Sequence, residues 1–194
     1  HYSAGNYIAR IFENLPTLVL PIMVVNLLGA EQNAYFFIAW AISGLLLVIP
    51  IATSTSLLAE GSYGEDLRFN VIRAVKFIFL LLLPAVAFIF FFGNYLLLIF
   101  GKQYAENSFE VLRVLAVASI PYSLNCVYAY VKRVRKEIKP VIYVYGSLIL
   151  LTLIGSYLSA QNMRIIGVGI AWVVGNVLVC SFIVPTFLHK AYSR

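Results

Sequence analysis

From Ala34 to Ala59 the chain carries no charged residue. At about 1.5 Å of rise per residue, such a run crosses the roughly 30 Å hydrocarbon core of a bilayer as one helix, with length left for tilt. Lipid offers no partner to backbone amides and carbonyls, and a helix satisfies them within the segment itself. Pro50 interrupts that hydrogen-bond ladder, and Thr53, Ser54, Thr55 and Ser56 bring hydroxyls that can re-satisfy the freed groups. A kinked, partly polar helix reads either as the wall of a cavity or as an ordinary proline kink packed by its neighbours.

Around this segment the chain is 62% hydrophobic and 11% charged, against about a quarter charged in soluble domains. Apolar runs predict six spans, at about 7–29, 34–59, 77–101, 114–131, 140–163 and 165–188, which makes the chain an all-α polytopic membrane protein folded as a single six-helix bundle. Ser62 stands three residues before Glu65, the spacing of a capping box. The pattern Leu67, Val71, Ala74, Val75 then predicts an amphipathic helix that leads without a break into the third span. Residues 102–108 read as a polar turn with Asn107 or Ser108 as the next helix cap, and Pro140 as the first position of the fifth span. Gly167, Ala171 and Gly175 repeat every four residues, a spacing that lets helix backbones approach closely.

The net charge of +6 is not a nucleic-acid footprint, because the basic residues fall in short loops between apolar runs. With six spans, the side that holds both termini carries Arg68, Arg73, Lys76, Lys132, Arg133, Arg135, Lys136, Lys139, Lys190 and Arg194. The other side carries Lys102, Arg113 and Arg164. Ten against three puts both termini in the cytoplasm of a cell whose plasma membrane the chain crosses. The 132–139 cluster reads as an orientation signal and an attraction to anionic headgroups. No cleavable signal peptide is expected, and a chain that opens on His1 is expected to be a segment of something longer.

Catalytic chemistry is not written here. His1 and His189 are terminal, no HExxH, CxxC or phosphate-cradling glycine loop occurs, and Glu65 and Asp66 are adjacent, so on a helix they point apart. Cys126 and Cys180 lie singly in separate spans, without metal-ligand spacing. No enzyme, metal site or cofactor is expected. Polar residues at membrane depth do stand out: Arg10, Glu13, Asn26, Asn125 and Asn176, with prolines in the interior of five of the six spans. Broken helices and buried polar groups recur where a transporter lines a cavity, and they argue against a plain membrane scaffold.

The run YFFIAWAISGLLLVIP followed by STSLLAEGS closely resembles a segment of the polysaccharide-type lipid-linked oligosaccharide flippases, within the multidrug/oligosaccharidyl-lipid/polysaccharide exporter superfamily. ENLPTLVLPIMVVNLLG, LLLIFGKQYAENSFEVLRVLA and IIGVGIAWVVGNV fit the same family, so the likeness covers nearly the whole chain. The resemblance implies one bundle, the carboxy-terminal one, of a two-bundle exporter that works by alternating access. It implies a cargo of oligosaccharide or polysaccharide repeat on a polyprenyl phosphate or pyrophosphate carrier, and as partners the bilayer and an amino-terminal bundle. The drug exporters of the superfamily are the alternative; their coupling is associated with membrane acids, of which Glu13 is the candidate here.

Arg10 and Glu13, three residues apart, share one face of the first span. Either they pair with each other near the cytoplasmic end, or Arg10 faces a central cavity and meets the cargo phosphate, with Lys76 at the entrance and Arg113 near the exit. Arginine suits the second task because its planar fork can hold two phosphate oxygens at once.

Overall fold

The computed structural model describes the backbone of residues 2–62 and 67–192 and the side chains of residues 5–56 and 67–183. Five helices follow one another: α1 (Tyr2–Leu28), α2 (Ala30–Ser62), α3 (Leu67–Leu98), α4 (Lys102–Val134) and α5 (Ile138–Tyr192). All five are long and apolar enough to cross a membrane, where the sequence predicts six spans. The difference lies in α5. At 55 residues it is far longer than a bilayer requires, but Arg164 inside it is not helical, with φ 51° and ψ −140°.

Around Arg164 the two arms of α5 fold back on each other. A Cβ added at Gly155 would lie 3.0 Å from the Ala171 Cβ, one at Gly167 2.7 Å from the Ser159 carbonyl oxygen, and one at Gly175 2.9 Å from Thr152 Oγ1. The positions pair symmetrically about the break, as antiparallel arms must. The small-residue repeat of the sequence is therefore a packing seam, closed so tightly that a methyl does not fit.

Short connections set the remaining geometry. Gly29, at φ 89°, closes α1 with its amide on the Val25 carbonyl, and α2 begins at the next residue. Gly101, at φ 120°, caps α4, so residues 102–108 form the first turns of that helix and not a polar turn. Asn107 is inside it, with Nδ2 donating to the Gln103 carbonyl, and Ser108 is buried; neither is the cap. At the far end the Glu137 amide reaches the Lys132 carbonyl and the Lys136 amide that of Arg133, with Lys136 at φ 58°. This pair of bonds stops α4 only after it has taken up Lys132 and Arg133. The loop expected over 132–139 thus shrinks to three residues, and Pro140 is the third residue of α5 rather than its first. The amphipathic stretch from Leu67 does run unbroken into the third span. The Ser62–Glu65 capping box lies outside the described residues.

α4 is the central element, packed against α2, α3 and α5, while α1 packs on α5 and α2. α1 and the first arm of α5 run parallel, since Gly5 meets Ile138 and Glu13 meets Tyr145. α2 and α4 also run parallel, Tyr35 against Tyr104 at one end and Thr55 against Tyr130 at the other. Two buried asparagines tie α4 to the second arm of α5: Asn125 Nδ2 donates to both the carbonyl oxygen and Oδ1 of Asn176. The outer surface is apolar, with Phe77, Leu80, Phe88, Phe91 and Tyr95 all exposed on α3. In water such a face would aggregate; in a bilayer it is simply solvated by acyl chains.

Candidate functional site

On α1, Arg10, Glu13, Asn14 and Thr17 follow helical spacing and share one face; on α2, Trp40, Ser43, Gly44, Leu47 and Ile51 do the same. These two faces turn toward each other across Leu115, Tyr122, Tyr130 and Arg133 of α4 and Trp172 of α5, and enclose an open cleft of about 520 Å³. Gly44 leaves a dent in the wall, for a Cβ added there would have nothing within 4 Å. The floor is aromatic. Trp40 and Trp172 meet edge to face at 5.2 Å, and Tyr122 lies 6.1 Å from Trp172.

The charges sit at one end of this cleft. Glu13 Oε2 accepts from Arg133 Nη2 at 2.7 Å, and Oε1 accepts from the Tyr145 hydroxyl at 3.2 Å. The Arg133 side chain is 6% exposed and that of Glu13 13%. The guanidinium lies 4.9 Å from the Tyr130 ring centre, a desolvated stacking contact. Arg10 is exposed on the cleft wall and has no ion-pair partner among the described residues. Among the described residues the cleft therefore presents two guanidiniums against one carboxylate.

Of the four residues singled out from the sequence, the structure brings Arg10 and Glu13 to the cleft and leaves the other two apart. Lys76 is exposed on α3. Arg113 is held between α3 and α4: Nε donates to the Phe90 carbonyl at 2.9 Å, Nη1 reaches Glu110 at 3.4 Å, and the guanidinium lies 4.1 Å from the Phe109 ring centre. Of the two readings of Arg10 and Glu13, the mutual pair is not formed: both Glu13 oxygens bind partners more than a hundred residues away. Arg133 is the residue that sequence reasoning missed. In KRVRKEIK it looks like one member of a solvated run, and only the continuation of α4 to Val134 makes it a buried helical position.

The other polar residues at membrane depth serve the packing. Asn125 and Asn176 bind each other, and Asn26, exposed on α1, donates to the Ile22 carbonyl of its own helix. Near Pro50, Thr55 and Ser56 back-bond to Ile51 and Ala52. Among the described residues no three His, Cys, Asp or Glu side chains converge on a point.

The MatE family model matches residues 7–158. A Shigella flexneri protein named as an O-antigen transporter is 30% identical over 112 residues, which is 52% of this chain and 27% of that protein. A solved structure described as the inward-facing conformation of a multidrug resistance MATE family transporter of the MOP superfamily matches with a TM-score of 0.78. That match covers 98% of this chain and 48% of the other, at 19% identity, and so speaks to fold alone. The chain spans about a quarter of the first relative, at 27%, and about half of the second, at 48%.

Proposed function

This chain belongs to the MatE family of membrane transporters, and on that footing we propose that it is one bundle of a carrier that flips a lipid-linked oligosaccharide or polysaccharide repeat across the cytoplasmic membrane. The observation that carries the reading is the charge of the cleft: Glu13 is already neutralised by Arg133, and Arg10 is left as a cation on the wall. An anionic phosphate headgroup would be drawn to Arg10, and its planar fork could take two phosphate oxygens. The aromatic floor and the hydroxyls of Ser43, Thr17, Tyr122 and Tyr130 would offer a saccharide the mix of apolar faces and few polar groups typical of ligand sites. The likeness to an O-antigen transporter supports the same cargo class. The proposal rests on Arg10. Lys76 and Arg113, assigned to entrance and exit by sequence reasoning, would at most guide the lipid outside the cleft.

The transport cycle would need an opposing bundle across the open side of the cleft, so that access alternates as the two rock against each other. Six crossings follow if the two arms of α5 each traverse the bilayer on either side of Arg164. The excess of basic residues then puts the end that holds Arg135 and Lys136 in the cytoplasm. Drug export is the second reading, favoured by the description of the structural neighbour. A cationic drug would meet net positive charge here, and an acid already paired with arginine is a poor coupling site.

In the full-length carrier, with both bundles present, Arg10→Gln should abolish flipping of a lipid-linked oligosaccharide in proteoliposomes while the protein still accumulates in the membrane, and Arg10→Lys should retain part of it. Undiminished flipping by Arg10→Gln, or extrusion of cationic dyes with no flipping at all, would remove this reading. For orientation, a cysteine at Lys136 should be shielded from an impermeant thiol reagent in intact cells and one at Gln103 labelled; the reverse pattern would invert the topology.

A further inference from the structure

Glu13 bypasses the cation closest to it in sequence. Arg10 stands three residues earlier on the same helical face, within ordinary reach of an intrahelical ion pair. The carboxylate instead binds Arg133 at 2.7 Å and the Tyr145 hydroxyl at 3.2 Å. The physical preference is plain. A buried guanidinium without a carboxylate is strongly destabilising, whereas an exposed one gains little from pairing. The Arg133 fork is also preset by the Tyr130 and Tyr145 rings, at 4.9 and 5.8 Å from their centres.

We infer that Arg133 is a positioning residue for the cleft: by occupying both the charge and the geometry of Glu13, it keeps Arg10 an unneutralised cation, free to meet an anionic phosphate. The inference deepens the anionic-cargo reading and rests on it for its functional meaning. Without Arg133, the carboxylate has one cation left on its own face of α1, and Arg10 is drawn into an intrahelical pair that cancels the charge of the site.

A double-mutant cycle tests this on the purified protein in nanodiscs, read as the thermal unfolding midpoint. Arg10→Gln should leave the parent midpoint unchanged. In the Arg133→Gln background the same change should lower it by on the order of 2–4 °C, because only there has Arg10 acquired a partner. An equal effect in both backgrounds overturns the inference. Should Arg133→Gln fail to accumulate, Arg133→Lys keeps the charge without the fork; the Arg10→Gln effect should then be intermediate, and no dependence on background overturns the inference equally. As a second reading, geranylgeranyl monophosphate should raise the midpoint of the parent but not of the Arg133→Gln protein, although Arg10 is present in both. A shift of parental size in Arg133→Gln overturns the positioning role. No shift in any variant, with the background-dependent effect of Arg10→Gln intact, leaves the positioning role standing and removes the anionic-cargo reading.

Discussion

Two regions of the bundle each set glycine and serine on a helix face, yet one is closed and the other open. Between the arms of α5, a Cβ at Gly167 would strike the Ser159 backbone at 2.7 Å, while across α1 and α2 a Cβ at Gly44 would meet nothing within 4 Å. In the seam, Ser159 donates to the Gly155 carbonyl of its own helix, and beside it Asn125 of α4 ties the second arm through Asn176. Among the described residues of the cleft, two arginines face one carboxylate and the charge does not cancel. A glycine on a helix face does not by itself decide between a packing seam and a ligand site. What stands opposite each residue does, and whether its polar partner is already supplied.

The sharpest break in this comparison comes from Glu13→Ala. It takes the Glu13 carboxylate from the buried Arg133, and breaking a buried pair from one side costs about 3–5 kcal/mol. Membrane abundance and unfolding midpoint should both fall steeply, and a protein of normal stability would show that the pair is dispensable. Gly167→Ala comes next. The new methyl must push α5 apart against a backbone carbonyl, and overpacking of this kind costs about 1–3 kcal/mol. Asn125→Ala should cost less, about 1 kcal/mol, since hydrogen bonds between membrane helices are individually modest. Gly44→Ala closes the series: with open space at the position it should be neutral or gain up to about 1 kcal/mol in helix propensity. If Gly44→Ala and Gly167→Ala destabilise alike, the distinction between open cleft and closed seam is wrong.

Much of the fold is legible in the sequence because lipid imposes it. The uncharged run 34–59 lies wholly within α2, and the apolar runs recover every helix. The turn at Arg164 is legible as a basic residue between two apolar runs, and its φ of 51° and ψ of −140° break the helix there. Connections are less legible. Residues 102–108 look like a turn because they are polar, but Gly101 caps the helix ahead of them, and polarity alone does not separate a solvated first turn from a loop.

The site was half legible. Arg10 and Glu13 stand out as charges inside an apolar span, a costly placement that demands an explanation. Their true relation was hidden, because local spacing predicts the intrahelical pair and the actual partners, Arg133 and Tyr145, lie 120 and 132 residues away. Arg133 carries no signal of its own among five basic residues in eight. Lys132 is buried too, but against Glu137 five residues on; only tertiary packing carries Arg133 to an acid of another helix.

The central claim, that Arg10 presents an uncancelled positive charge to an anionic headgroup, is tested most directly by binding two lipids that differ only in that headgroup. Titration of the purified protein in nanodiscs with geranylgeranyl monophosphate and with geranylgeraniol should show that the phosphate binds more tightly than the alcohol, that the advantage shrinks as salt is added, and that Arg10→Gln removes it. Equal binding of the two lipids, or an advantage that survives Arg10→Gln intact, would contradict the account.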